Sequence, residues 1–152
     1  MKKPKQTLFE VSLKILLRSS DKVLLTRDPE GYIDLPGGRI DAGEENASFK
    51  DIIAREVREE LGESIKFTLD TVLFIYRRSV HSDDYLGVVF DAEYISGDIE
   101  LLDSNEHVSY KWVDRRIYKL KREDFLLAHQ EKYEAFKKYF EKENLPAQAG
   151  RQ

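Results

Sequence analysis

Three glutamates with helical spacing are the residues of this chain best suited to chemistry. Glu56, Glu59 and Glu60 lie three and four positions apart, so on a helix they fall within an arc of about 100°. Like charges at these spacings repel one another, and the repulsion grows as water is excluded. A divalent cation would offset it, and oxygen ligands favour Mg²⁺ or Mn²⁺ over Zn²⁺. A solvated acidic helix face is the alternative interpretation of the same residues.

The residues around these glutamates add a counter-charge and a tight turn. Arg55 can pair with Glu59 at i+4, which would hold the carboxylates in place by salt bridging. Gly37 and Gly38 precede the helix, and a glycine pair lets the backbone approach a ligand closely. The carbonyl group of Gly38 is therefore a further candidate metal ligand, whereas an ordinary tight turn would use the same two residues.

Hydrophobic periodicity predicts the elements that position this site. Alternation over residues 9–17 predicts a strand with one buried face, and further strands are predicted at 23–26, 32–35, 65–69, 71–77, 85–95 and 109–113. Apolar residues at helical spacing predict two amphipathic helices over residues 46–61 and 123–141. Hairpin-length turns join most strands, so we expect a layered α/β fold with a mixed sheet. We expect one domain over residues 1–152, with flexible tails at 1–6 and 144–152.

Composition excludes several other classes of protein. The chain has 152 residues, a formal net charge of −4 and no cysteine, which excludes disulfide frameworks and Cys-ligated metal sites. No apolar run approaches the roughly 18 residues that a membrane span needs. The net negative charge gives no reason to expect binding to bulk nucleic acid. We therefore expect a cytoplasmic protein with no membrane partner. Nucleic acid is a disfavoured partner, since no basic stripe supports an RNA 5′ end as the substrate. We expect a monomer or homodimer.

Residues 38–62 resemble the signature of the Nudix hydrolase family. Its fixed positions map onto Gly38, Glu44, Arg55, Glu56, Val57, Glu59, Glu60 and Gly62, and Leu-Pro-Gly-Gly precedes them at residues 35–38. The resemblance implies a Nudix-type α/β/α sandwich over the whole chain. It also implies hydrolysis of a pyrophosphate bond in a nucleoside diphosphate linked to another group, with metal ions held by the three glutamates.

The chain departs from that signature at two positions. Ten residues separate Glu44 from Arg55 where the family has seven, and three extra residues equal about one helical turn. We expect the insertion to lengthen the helix at its N-terminal end, which leaves the role of Glu44 open. Glu63 occupies the aliphatic position after Gly62, so Ile65 is expected to supply the core contact instead.

The signature does not identify the general base. In many relatives a glutamate after the signature supplies it, and Glu106 lies in a similar place in this chain. Glu93, within a predicted strand, is a poorer candidate, and a glutamate of the signature itself is a third possibility. His81 and His107 lie in polar stretches and are expected to be solvated.

Substrate contacts are predicted at cationic and aromatic residues close to turns. The candidates are Arg27, Arg39, Arg77 and Arg78 for phosphate groups and Tyr32 for stacking on a base. Tyr76 and Tyr85 fit either stacking or the core. The expected substrate is a small nucleotide: a nucleotide sugar such as ADP-ribose, a nucleoside triphosphate or a dinucleoside polyphosphate. A non-catalytic nucleotide-binding module with the same fold is the alternative function.

Overall fold

The computed structural model describes residues 3–80 and 83–142 as a mixed β-sheet with a helix on each face. The strands are β1 (Glu10–Ser19), β2 (Lys22–Arg27), β3 (Ile33–Asp34), β4 (Gly37–Arg39), β5 (Lys66–Val80), β6 (Asp83–Ser96) and β7 (Ser109–Asp114). The helices are α1 (Phe49–Leu61) and α2 (Gln130–Phe140), and a 3₁₀ turn spans Arg122–Asp124. Residues 3–6 are exposed and belong to no helix or strand, whereas the predicted tail at 144–152 lies outside the described residues.

The sheet is mixed, as predicted. Its strand order is β3-β2-β1-β6-β5, with β4 paired to β1 and β7 paired to β2. Strands β1 and β6 run parallel, and the other pairs are antiparallel. The two strands predicted over 65–77 form the single strand β5, whose register shifts between Leu69 and Phe74 account for the interrupted alternation.

Both faces of the sheet are covered, which corrects the prediction of one buried face for β1. Leu13, Ile15 and Leu17 pack with α1, whereas Leu16 packs on the opposite face with Phe136 of α2. Every residue from 12 to 18 is consequently buried, including two cations. A strand between two helical layers loses its solvent-facing side, as in other layered α/β folds.

Helix α1 begins three residues later than predicted. Ser48 is its N-cap, and the Ser48 hydroxyl accepts a hydrogen bond of 3.1 Å from the amide of Asp51. The three extra residues of the signature therefore lie in the loop before the helix rather than in an added helical turn. The helix ends at Leu61, and Ile65 is buried against it as predicted.

Helix α2 begins at Gln130 rather than at residue 123. The Arg122 guanidinium donates to the backbone carbonyl groups of Phe125, Leu126 and Leu127. Those carbonyls are thus satisfied outside a helix, and Phe125 takes an extended conformation while remaining buried in the core. None of the helices in the described ranges has the length and apolar character needed to traverse a bilayer.

Candidate active site

A cavity of about 530 Å³ opens beside the N-terminal half of β1, the whole of β4 and one side of α1. All three glutamates of the predicted site line it, together with Gly38 and Arg55. Its remaining walls come from β3 and the turn before it, from β5 and β6, from the loop before β7, and from the start of α2 with the segment before it. The fold therefore brings the residues predicted to hold a metal ion to one concave surface.

The carboxylate of Glu56 lies directly over Gly38. A β-carbon at Gly38 would stand 2.4 Å from the carboxyl carbon of Glu56 and 2.5 Å from both its oxygens, so any other residue there would displace that carboxylate. The Glu56 side chain is 14% exposed. Burial raises the pKa of Glu56; Arg55 opposes that rise, and the neighbouring Glu60 and Glu59 add to it. This crowding of negative charge is the condition that a bound cation relieves.

Arg55 binds the carboxylates around it. Its Nε and Nη2 donate to the two oxygens of Glu44 at 3.0 and 2.8 Å, and its Nη1 pairs with Glu56 at 2.9 Å and Glu59 at 3.3 Å. The bidentate bond to Glu44 raises the pKa of Arg55. The role of Glu44, left open by the sequence, is thus to hold Arg55, and the insertion does not separate them.

Glu60, the third predicted metal ligand, is the most deeply buried of the three glutamates. Its side chain is 3% exposed, its Oε1 accepts a 2.7 Å hydrogen bond from the Gly37 amide, and its Oε2 lies 2.7 Å from Nε2 of His107. Each oxygen thus has one partner within the protein and keeps a further lone pair, so Glu60 stays a predicted ligand. Within residues 3–80 and 83–142, no three Asp, Glu or His side chains are grouped so that they could hold a metal ion.

The buried position of His107 corrects its predicted exposure. The ring is 1% exposed and packs against the C-terminal end of α1. The polar residues around it suggested a solvated loop, and nothing in the local sequence indicates the long-range partner Glu60. His81 lies outside the described residues.

Three further candidates line the cavity and two do not. Tyr32, Arg39 and Arg78 are at its wall, and Arg39 pairs with Glu10 at 2.6 Å. Arg27 is turned away and donates to Asp124 at 3.1 Å, and Arg77 pairs with Glu131 at 3.4 Å on the surface. Neither of the latter two belongs to the cavity wall.

The two candidate bases differ in their position relative to the cavity. Glu106 is exposed on the loop before β7 and lines the cavity. Glu93 lies on β6 opposite Arg18 of β1 and is not part of the cavity wall. Among the two, only Glu106 is positioned to reach a molecule in the cavity.

A buried group of charges at the cavity was missed by sequence reasoning. Asp34 lies between Lys14 at 3.4 Å and Lys132 at 3.6 Å. The two lysines hold the pKa of Asp34 well below its ordinary value although burial alone would raise it. Burial would lower the pKa of Lys14, but Asp34 and nearby acidic groups outweigh it and raise that pKa. The burial of Lys132 could have been predicted, because this residue lies four positions before Phe136 and therefore on the apolar face of α2.

Aromatic rings and an arginine complete this wall. Arg78 lies 4.4 Å from the centre of the Tyr85 ring, and Lys132 lies 5.6 Å from that of Tyr76. Both tyrosines are buried. The cavity therefore combines carboxylates from α1 with cations and rings contributed mainly by β5, β6 and α2.

Comparison with known proteins gives one family. The family model described as the NUDIX domain matches residues 9–137. No curated protein sequence matches the chain.

Several solved structures share the fold. The MutT protein from Methanosarcina mazei Go1 is 25% identical, with a TM-score of 0.66 over 90% of this chain and 96% of that one. An ADP-ribose pyrophosphatase from Streptococcus suis 89-1591 is 19% identical, with a TM-score of 0.60 over 94% and 92%. A UDP-X diphosphatase is 17% identical, with a TM-score of 0.62 over 90% of this chain and 65% of that one.

Proposed function

Because the chain belongs to the NUDIX family of hydrolases, we propose that it cleaves a pyrophosphate bond in a nucleoside diphosphate linked to another group, with Mg²⁺ as its metal ion. Mn²⁺ is the natural substitute. The observation that carries the proposal is the partly buried Glu56 carboxylate, whose pKa is raised, lying over Gly38 beside Glu59.

The few donors at the cavity suit Mg²⁺ that is held partly by water and substrate, rather than an ion held by protein ligands alone. Mg²⁺ is commonly held by one or two carboxylates together with waters and substrate phosphates. Glu56 and Glu59 supply the carboxylates here, and the Gly38 carbonyl is a third oxygen at the same wall. When bound, such an ion neutralises charge on the phosphate oxygens and makes a bound water more acidic.

The residues of the chain have separate tasks in this proposal. Arg55 fixes the carboxylates of Glu56 and Glu59 through its own contacts and does not touch the substrate. Glu106 accepts the proton of the attacking water, because it faces the cavity on a loop of its own. Lys132 and Arg78 offset phosphate charge from the opposite wall.

The nucleoside end of the substrate is assigned to Tyr32, Tyr85 and Arg39, which line the cavity. Relatives with the same fold include an ADP-ribose pyrophosphatase and a UDP-X diphosphatase, and these support a nucleotide sugar as the first substrate to test. We further propose a single domain acting as a monomer or homodimer. We also propose a cytoplasmic location, which rests on the sequence as a whole: it has no cysteine and no apolar run long enough for a membrane span.

The test is product analysis with a panel of ADP-ribose, UDP-glucose, nucleoside triphosphates and diadenosine polyphosphates, with and without Mg²⁺. Glu59→Gln should lower turnover by about 100-fold or more, because it removes a proposed metal ligand. Glu63→Gln is the matched control, since Glu63 is an exposed acid two residues beyond α1 and outside the cavity wall. Nucleotide binding without cleavage by the wild-type chain would favour the non-catalytic module instead.

A further inference from the structure

A second cavity, of about 430 Å³, lies at the opposite end of α2 from the candidate active site. Lys132 in the first turn of α2 lines the active-site cavity, whereas Phe140, the last residue of α2, lines the second one. The helix rises by about 12 Å between these two residues. The two cavities share no lining residue in the described part of the chain, and the volume of the second suits a small molecule.

Cations dominate the wall of this second cavity. Its charged lining residues are one acid, Glu141, and five bases, Arg115, Arg116, Lys119, Lys137 and Lys142. Arg116 already has acidic partners in Asp114 at 2.8 Å and Asp21 at 3.4 Å. Lys137 lies 3.9 Å from Glu141. The acids close to the cavity therefore account for two of the five cations.

Arg115 is the buried member of this group, with 5% of its surface exposed. Its Nη1 donates to the backbone carbonyl groups of Tyr139, Phe140 and Lys142. These bonds cap the C-terminal end of α2 and offset its macrodipole, which amounts to about half of a negative charge. The Nε of Arg115 is buried without a hydrogen-bond partner among the described residues. Arg115 therefore carries more positive charge than the helix end uses.

Two lysines of the cavity have no acidic partner. Lys119 and Lys142 are exposed, and neither forms a salt bridge with any residue of 3–80 or 83–142. Together with the remaining charge of Arg115, they leave an excess of about two positive charges at the cavity. A helix C-terminus alone needs about half a charge, so it does not explain this excess. A phosphate monoester, which carries about −1.5 to −2 at pH 7, matches it.

The uncharged part of the wall is apolar and aromatic. It comes from Tyr118, Leu120 and Phe140, and the ring centres of Tyr118 and Phe140 lie 6.4 Å apart in an edge-to-face arrangement. Tyr118 is only half-buried, so part of its surface stays open. A flat ring of a ligand packs well against such a surface, whereas an inorganic anion would leave it unused.

We propose that the second cavity binds a nucleoside 5′-monophosphate, with the phosphate at Arg115, Lys119 and Lys142 and the base against Tyr118. The two lysines come from different segments, one after β7 and one after α2. A bound phosphate would therefore join these two segments. The inference stands on the charges and rings of this cavity and does not depend on the proposed hydrolysis.

The test is an amide NMR titration of the full chain with AMP in the absence of divalent metal ions. We expect saturable shifts at the amides of residues 115–120 and 137–142, with a Kd of about 1 mM or below. The double variant Lys119→Gln/Lys142→Gln should bind AMP about tenfold more weakly or worse, because two charge-assisted contacts are lost. Lys138→Gln is the matched control, since Lys138 is exposed on the last turn of α2 outside both cavity walls. Its Kd should stay within about twofold of wild type.

Adenosine and inorganic phosphate test the two halves of the ligand separately. Each should bind at these amides about fivefold more weakly than AMP or worse, because each makes only part of the contacts. Inorganic phosphate that binds as tightly as AMP would overturn the assignment to a nucleotide. An equal Kd in the double variant and in Lys138→Gln, or shifts confined to the active-site cavity, would overturn the site itself. No metal ion takes part and no bond is broken, so a chain that fails to hydrolyse any nucleotide would still give this result.

Discussion

Replacing Gly38 by alanine should remove activity while leaving the fold intact. The added β-carbon would stand 2.4 Å from the Glu56 carboxyl carbon, whereas ordinary van der Waals contact begins near 3.4 Å. The Glu56 carboxylate must therefore move by about 1 Å, and a displacement of that size at a reacting centre costs about 100-fold in rate. The obstruction is the end of a flexible side chain, so we expect Tm to fall by less than about 4 °C.

The neighbouring glycine provides the matched control. Gly37 has a φ of +129°, and a β-carbon there would lie 2.1 Å from the backbone oxygen of Leu13. Backbone atoms of β1 cannot turn aside as a side chain does. Gly37→Ala should therefore cost about 3 kcal/mol or more, which lowers Tm by about 6–12 °C in a chain of this size.

The two variants separate a disturbed site from a disturbed fold. The assays are Tm by differential scanning fluorimetry and turnover of the best substrate of the panel at saturating Mg²⁺. Turnover within about threefold of wild type in Gly38→Ala would refute the role given to the Glu56–Gly38 contact. Equal losses of Tm in both variants would show that Gly38 is needed for folding rather than for the site.

Three further outcomes are expected. Phe136→Ala should cost about 3–5 kcal/mol of unfolding free energy, measured by urea denaturation, because its fully buried ring packs on Phe125 at 5.2 Å; a loss under about 1 kcal/mol would contradict the assigned core. Burial, together with the positive charge of Lys132, lowers the pKa of His129 from 6.5 to about 4. As the pH falls, His129 is therefore protonated in the unfolded chain before it is protonated in the folded one, so Tm should fall between pH 6.5 and 4. His129→Gln should reduce that fall by about 2–4 °C, since the ring is half-exposed, and an identical pH dependence in both proteins would exclude the effect. Glu106→Ala should lower turnover and change the shape of the pH–rate profile; an unchanged profile would remove Glu106 as the base.

The secondary structure was largely predictable because its signals are local. Alternation located β1, and the spacing of apolar residues located α1 with the correct phase for Glu56, Glu59 and Glu60. The boundaries that failed depend on side-chain bonds from outside the periodic segment. Arg122, for example, satisfies the carbonyls that would otherwise begin α2 seven residues earlier.

The buried polar groups were not predictable, because their partners are distant in sequence. Lys14 follows Leu13 in an alternating strand and was expected on an exposed face, but α2 covers that face and Asp34 neutralises the lysine. His107 is 47 positions from Glu60, and no spacing rule joins a loop histidine to a helix carboxylate. These contacts join residues of different elements, so they exist only in the assembled fold.

The pattern of these partners explains which carboxylates remain for chemistry. Two lysines pair with Asp34, and Nε and Nη2 of Arg55 donate to Glu44. Glu60 is bonded to His107 and to a backbone amide. Glu56 is the exception, because its pKa is raised despite the single arginine nitrogen that contacts it. A carboxylate at a cavity wall that lacks a compensating positive charge is stabilised by an added cation more than its paired neighbours are. Of these four acids, Glu56 is therefore the one that a cation bound in the cavity would stabilise most, which is why the proposed metal site is centred on it.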